Sequence, residues 1–119
     1  MIERYVEYVI DDIGCPRYRK GYDQLKEVII RQINYPSENV CTSYKIIAEK
    51  YEIPWSRIER NVRSLIEWIL DNCDHLKIYN YFGNSLPVKG GITNKHFIVT
   101  LAVAAKRLSR EGNYAKHRG

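Results

Sequence analysis

Three arginines recur at a spacing of three residues, Arg57, Arg60 and Arg63, inside the run SRIERNVR at residues 56–63, with Glu59 between them. A guanidinium presents its donors in a fixed fork that fits a phosphate, a carboxylate or the O6/N7 edge of guanine. Glu59 adds an acceptor, suited to a cytosine amino group or to orienting a neighbouring arginine. Set at about 100° per residue on a helix, Ser56, Arg57, Glu59, Arg60, Arg63, Ser64 and Glu67 fall on one side. Trp55, Ile58, Val62, Leu65, Ile66 and Ile69 fill an arc of about 100° opposite them. The chemistry on offer is recognition of a polyanion. A solvated surface braced by i,i+3 and i,i+4 ion pairs would use the same residues, so the neighbouring elements must decide.

Those neighbours form a motif. The stretch TSYKIIAEKYEIPWSRIERNVRSLIEWILDN, residues 42–72, reads as two helices broken at Ile53-Pro54. Proline disfavours the α conformation at Ile53 and is tolerated in the first turn of a new helix. The second helix, 55–71, starts at Pro54 or at Ser56, whose spacing to Glu59 matches a capping box. In the first helix Ile46, Ile47 and Tyr51 are expected inside, with Ala48 allowing close helix approach. A hydroxyl of Thr42 or Ser43 suits its cap. A short packed helix, a tight turn and an arginine-faced helix make the build of a helix-turn-helix DNA reader. Glu52 stands where many such turns carry Gly, and Asn61 where many carry an apolar residue.

The flanking chain supplies the scaffold. Tyr5, Val6, Val9, Ile10 and Ile13 recur at helical spacing over residues 3–13, and Gly14 suits the helix end. Cys15-Pro16 breaks the chain. A second amphipathic helix from about Lys20 carries Tyr22, Leu25, Val28, Ile29 and Ile33. Residues 74–82 predict a short helix ended by Gly83, and residues 83–92 a loop. Thr93-Asn94 caps a last helix with Phe97, Ile98, Leu101, Ala102, Ala105 and Leu108 on its buried stripe. The class is all-α, about six helices with a central helix-turn-helix. One domain spans residues 1–112, and residues 113–119 read as a frayed basic tail.

Charge placement agrees with the motif. The net charge is +5, yet residues 1–53 hold 8 Lys+Arg against 9 Asp+Glu, and residues 54–119 hold 11 against 5. The balance passes from −1 to +6 where the arginine helix begins, as a polyanion partner requires. No apolar run approaches the roughly 20 residues of a membrane span, and the acidic N-terminus is unlike a signal peptide. Cys15, Cys41 and Cys73 fit neither a disulfide framework nor a zinc site, which points to reduced thiols in a cytoplasm. His75, His96 and His117 are scattered, and no nucleophile motif or phosphate loop is present. No enzyme, metal or cofactor is expected.

The order of elements resembles a known family, the C-terminal DNA-binding effector domain of the stage-zero sporulation response regulator. The carrying segments are IGCPRYRKGYDQLKEVI, AEKYEIPWSRIERNVRSLIEW and YFGNSLPVKGGITNKHFI. The resemblance spans residues 10–110. It implies a six-helix fold around a helix-turn-helix and binding to a short, often tandem operator box. It also implies that Arg57, Glu59 and Arg60 read bases, with Ser56 and Arg63 near the DNA backbone; Thr42, Ser43 and Lys45 of the first motif helix are the further candidates for backbone contact. Residues 72–86 look like the family's contact with the RNA polymerase sigma factor. The family usually carries a phosphoacceptor receiver domain ahead of this one, which nothing here resembles. Met1 followed directly by helical sequence favours a natural stand-alone version. The family's Leu-Tyr-Pro pattern is replaced by Ser43-Tyr44-Lys45.

The reading is a non-enzymatic, sequence-specific transcription regulator of the sporulation-initiation type, binding double-stranded DNA and pairing weakly on tandem sites. Two alternatives stay open. One is a stand-alone interaction module that antagonises a full-length regulator or RNA polymerase. The other is a nonspecific nucleic-acid binder using the same basic face.

Overall fold

The computed structural model describes residues 1–86 and 91–118, with side chains as far as residue 112. Six helices follow one another: α1 (Ile2–Ile13), α2 (Tyr22–Asn34), α3 (Val40–Tyr51), α4 (Trp55–Asn72), α5 (His75–Phe82) and α6 (Asn94–Arg118), with a 3-10 turn at Gly83–Ser85. Among the described residues there is no strand. No helix among them is long and apolar enough to cross a membrane. The all-α class and the helix count agree with the sequence.

Each helix exists because one of its faces is apolar, and the faces meet in one core. Val6, Val9, Ile10 and Ile13 of α1, Tyr22, Leu25, Val28 and Ile29 of α2, and Phe97, Ile98, Leu101 and Ala105 of α6 are all buried there. The long α6 lies mainly on α1 and α2, while α4 packs against α3, α2 and the start of α6. Gly14 takes a left-handed conformation, φ 108°, and ends α1 as expected. Thr93 Oγ1 accepts from the His96 N–H at 3.0 Å, which caps α6.

The joint between α3 and α4 is a Schellman turn. Glu52 N–H returns to the Glu49 carbonyl and Ile53 N–H to the Ala48 carbonyl, each at 3.3 Å. Glu52 therefore sits at φ 56°, the only non-glycine residue with positive φ among those described. A side chain in that region costs about 1–2 kcal/mol, which explains why glycine would suit it. Pro54 follows in extended conformation, φ −61° and ψ 142°, and α4 begins at Trp55.

Several expectations need correction. The α3 cap is Asn39, whose Oδ1 accepts from the Thr42 N–H at 2.9 Å; neither Thr42 nor Ser43 caps it. Tyr44 is buried in α3 while Ile46 is 37% exposed, because the helix turns Ser43, Tyr44, Ile47 and Ala48 inward. The first turn of α4 has no side-chain cap, so Ser56 and Glu59 form no capping box. Ile92 lies in a loop as expected but is buried against the core, and residues 87–90 of the expected loop lie outside the described residues. The backbone of α6 continues as helix to Arg118, through the segment expected as a frayed tail.

A polar clamp docks α5. The Tyr81 hydroxyl donates to Asp12 Oδ2 at 2.6 Å and Lys77 Nζ to Asp12 Oδ1 at 3.3 Å. The Tyr81 bond, with Lys77 adding to it, holds the Asp12 carboxyl below the ordinary carboxylate range against an opposing effect of burial. A carboxyl depressed on folding contributes stability that is complete above its unfolded pKa, about 3.9, and vanishes as pH falls through the folded value. Asp12→Asn should therefore be less stable than the wild type at pH 6 in urea unfolding, and the gap should close as pH drops below about 4. A gap that does not change with pH would mean the clamp acts by shape alone.

Candidate nucleic-acid interface

Burial of Ile58, Val62, Leu65, Ile66 and Ile69, all between 0% and 2% exposed, fixes the roll of α4 about its axis. The opposite arc must then face outward. Ser56, Arg57, Glu59, Arg60, Ser64 and Glu67 are exposed, as the periodicity predicts. The guanidiniums of Arg57 and Arg60 make no hydrogen bond or ion pair among the described residues. Their donors are therefore available to a ligand. Trp55 stands 37% exposed at the rim, with Lys45 Nζ 5.5 Å from the centre of its ring. Thr42 and Lys45 are exposed, three residues apart on α3, beside the start of α4.

Arg63 behaves differently. Its Nε donates to Glu67 Oε1 at 3.0 Å, and its Nη1 donates to Asn94 Oδ1 at 3.2 Å and to the Ile92 carbonyl. Asn94 Nδ2 in turn donates to the Tyr44 hydroxyl at 3.1 Å and to the Glu59 carbonyl at 3.4 Å. Six residues thus tie α3, α4 and the start of α6 together. Burial pushes the Tyr44 hydroxyl up to about 12, with the Asn94 bond opposing it, so it stays protonated and neutral in this knot. Arg63 is held by protein acceptors where the sequence suggested a phosphate contact.

Ser43 has to be withdrawn from the backbone-contact set. It is wholly buried, and its hydroxyl donates to Glu38 Oε1 at 2.8 Å. Glu38 is itself paired with Arg31 at 2.7 Å, and those bonds hold its carboxyl below the ordinary range. Ser43 links the α2–α3 corner and cannot reach a ligand.

Between α3, α4 and α6 lies an open groove of about 680 Å³, lined by Val40, Ser56, Glu59, Arg60, Thr93 and Lys95 among others. Lys95 and the start of α6 were not legible as part of this face. Asn94-Lys95 reads locally as a helix start, and the tertiary bonds among Arg63, Ile92, Asn94, Tyr44 and Glu59 bring it beside the arginines. Cys41 borders the same groove, and all three cysteines are free thiols. No cluster of His, Cys, Asp and Glu suited to a metal ion occurs among the described residues.

The family model for the sporulation initiation factor Spo0A C terminal matches residues 6–105, which include α3, α4 and the start of α6. The chain belongs to that family. A Spo0A C-terminal domain is a DNA-binding, transcription-regulating unit of sporulation. The matched span includes the helix-turn-helix, the Arg63 knot and the α6 cap together.

Removal of Arg63 should therefore show in folding as well as in DNA binding. Losing hydrogen bonds from a charged, partly buried group costs about 1.5–3 kcal/mol, so Arg63→Ala should lower unfolding free energy by that order. A loss within 0.5 kcal/mol, the scale of about any neutral surface change, would return Arg63 to the list of simple phosphate contacts.

Proposed function

We propose that this Spo0A C-terminal domain reads a short operator box by laying α4 in the major groove. The observation that carries the reading is the pair Arg57 and Arg60, exposed and without protein partners among the described residues, on a helix whose other side is sealed. In this reading Arg57 and Arg60 fork onto guanine O6 and N7, and Glu59 accepts from a cytosine amino group. The uncapped first turn of α4 leaves N–H groups that favour a phosphate, with Ser56 beside them. Thr42, Lys45 and Lys95 complete the phosphate contacts, and these set register without reading sequence.

The protein contact favoured second lies on α5. Leu76 is 75% exposed and Tyr79 51% exposed on this short helix, a clear apolar surface for the RNA polymerase sigma factor. The same surface would serve a module that antagonises a full-length regulator. Val103 is likewise exposed on α6, which supports weak pairing of copies on tandem boxes. Effective concentration on one duplex lets a weak contact suffice.

Selection of bound duplexes from a random pool tests the DNA reading. The wild type should enrich one short box, and Arg60→Ala should lose preference for it by about 1–3 kcal/mol, the value of a good bidentate base contact. Nonspecific binding and the helical circular dichroism should persist. If the Arg60→Ala protein kept its specific affinity within about twofold, Arg60 would not be a base reader.

A further inference from the structure

The loop between α1 and α2 is pinned along one flank of the reading helix. Gly21 sits at φ 93°, and a Cβ there would stand 2.8 Å from the Asn61 carbonyl of α4. Only glycine permits that approach. One residue after Lys20, therefore, the loop backbone touches the α4 backbone. One residue before it, the Arg19 guanidinium lies over the Trp68 ring of α4 at 4.0 Å from the ring centre. A third tie joins Asn61 Nδ2 to Gln24 Oε1 at 3.0 Å. Lys20 is thus held between two anchors on the same helix.

The side chains at this place have no structural task to explain them. Tyr18 is 86% exposed, and Lys20 is exposed with no hydrogen bond or ion pair among the described residues. Arg17 differs, since it is occupied by Asp11 at 2.7 Å and by Glu7 at 3.4 Å. Asp23 is the remaining acidic group within three residues of Lys20. An unpartnered lysine and a bare tyrosine, fixed beside an arginine face, suit an anion better than solvent alone.

Position then selects the anion. At about 100° per residue, Arg63 and Asn61 lie about 160° apart around α4, on either side of Arg60. Arg63 borders the α6 start with Lys95, and Asn61 borders the α1–α2 loop with Lys20. A helix in the major groove, about 12 Å wide, runs between two phosphate backbones. We infer that Tyr18 and Lys20 grip the phosphate backbone of the strand opposite the one met by Lys95, so that the α1–α2 loop closes the second side of the DNA clamp. The inference rests on the reading of α4 as the helix in the groove.

Salt titration of binding to the selected box tests it, with Lys20→Gln beside a control, Lys50→Gln. Lys50 is exposed on α3 but paired with Glu27 of α2. Loss of one phosphate contact lowers the slope of log affinity on log salt by about 0.9, so affinity should fall about 3.5-fold less between 50 and 200 mM salt. Lys20→Gln should show that drop with an unchanged box and unchanged circular dichroism, whereas Lys50→Gln should keep the wild-type slope. Equal slopes for Lys20→Gln and wild type would overturn the clamp while leaving the α4 reading intact. Equal drops for both variants would reduce it to a diffuse field and overturn it as well. A wild type without any sequence preference would remove both.

Discussion

One constraint organises this molecule: α4 must bury a narrow apolar stripe, and that leaves its roll no freedom. Five branched aliphatic side chains of α4 are almost wholly withdrawn from water. Each such burial is worth about 1.5–3 kcal/mol, so a rotation that exposed the stripe would cost an amount comparable to the whole net stability of a domain this size, about 5–15 kcal/mol. Arg57 and Arg60 face outward as a consequence of that burial. The proposed DNA-reading face is the reverse side of a core element, which fixes its geometry.

Roll alone does not fix the tilt of α4. The Schellman turn at Glu52 and Ile53 sets one end, and proline prevents α3 from continuing. The Arg63–Asn94–Tyr44 knot sets the flank toward α6, and the Gly21–Asn61 approach sets the flank toward α1 and α2. α4 is therefore held from three directions. Preorganisation of this kind lowers the ordering cost when a rigid ligand such as a duplex is met. It also divides the arginines by task, since those with protein acceptors hold the helix and those without are free to bind.

Periodicity carried most of the fold. The apolar stripes of α1, α2, α4 and α6, the break at Pro54 and the caps at Gly14 and Thr93 depend on local rules, and local rules are written in consecutive residues. Local rules fail where a tertiary partner decides. Ser43 looked like a surface hydroxyl until Glu38 claimed it, and Ile46 yielded the interior to Tyr44 because α3 packs on α2 and α4 through Ser43, Tyr44, Ile47 and Ala48. At the site, exposure of Arg57, Glu59 and Arg60 was legible from spacing. The different fate of Arg63 was not, because its acceptors Ile92 and Asn94 lie about thirty residues away in the chain. Lys95 and the α1–α2 loop were hidden for the same reason.

The proposed DNA reading requires α4 to enter the major groove with its guanidiniums aimed at base edges. Methylation of guanine N7 on the selected box measures this most directly, because that atom lies in the major groove and is the acceptor an arginine fork requires. Pre-methylated duplexes should be bound poorly when the modified guanine falls in the box and normally when it lies outside. The Arg60→Ala protein should become indifferent to at least one of those positions. Wild-type binding that ignores N7 methylation throughout the box would contradict major-groove reading by α4.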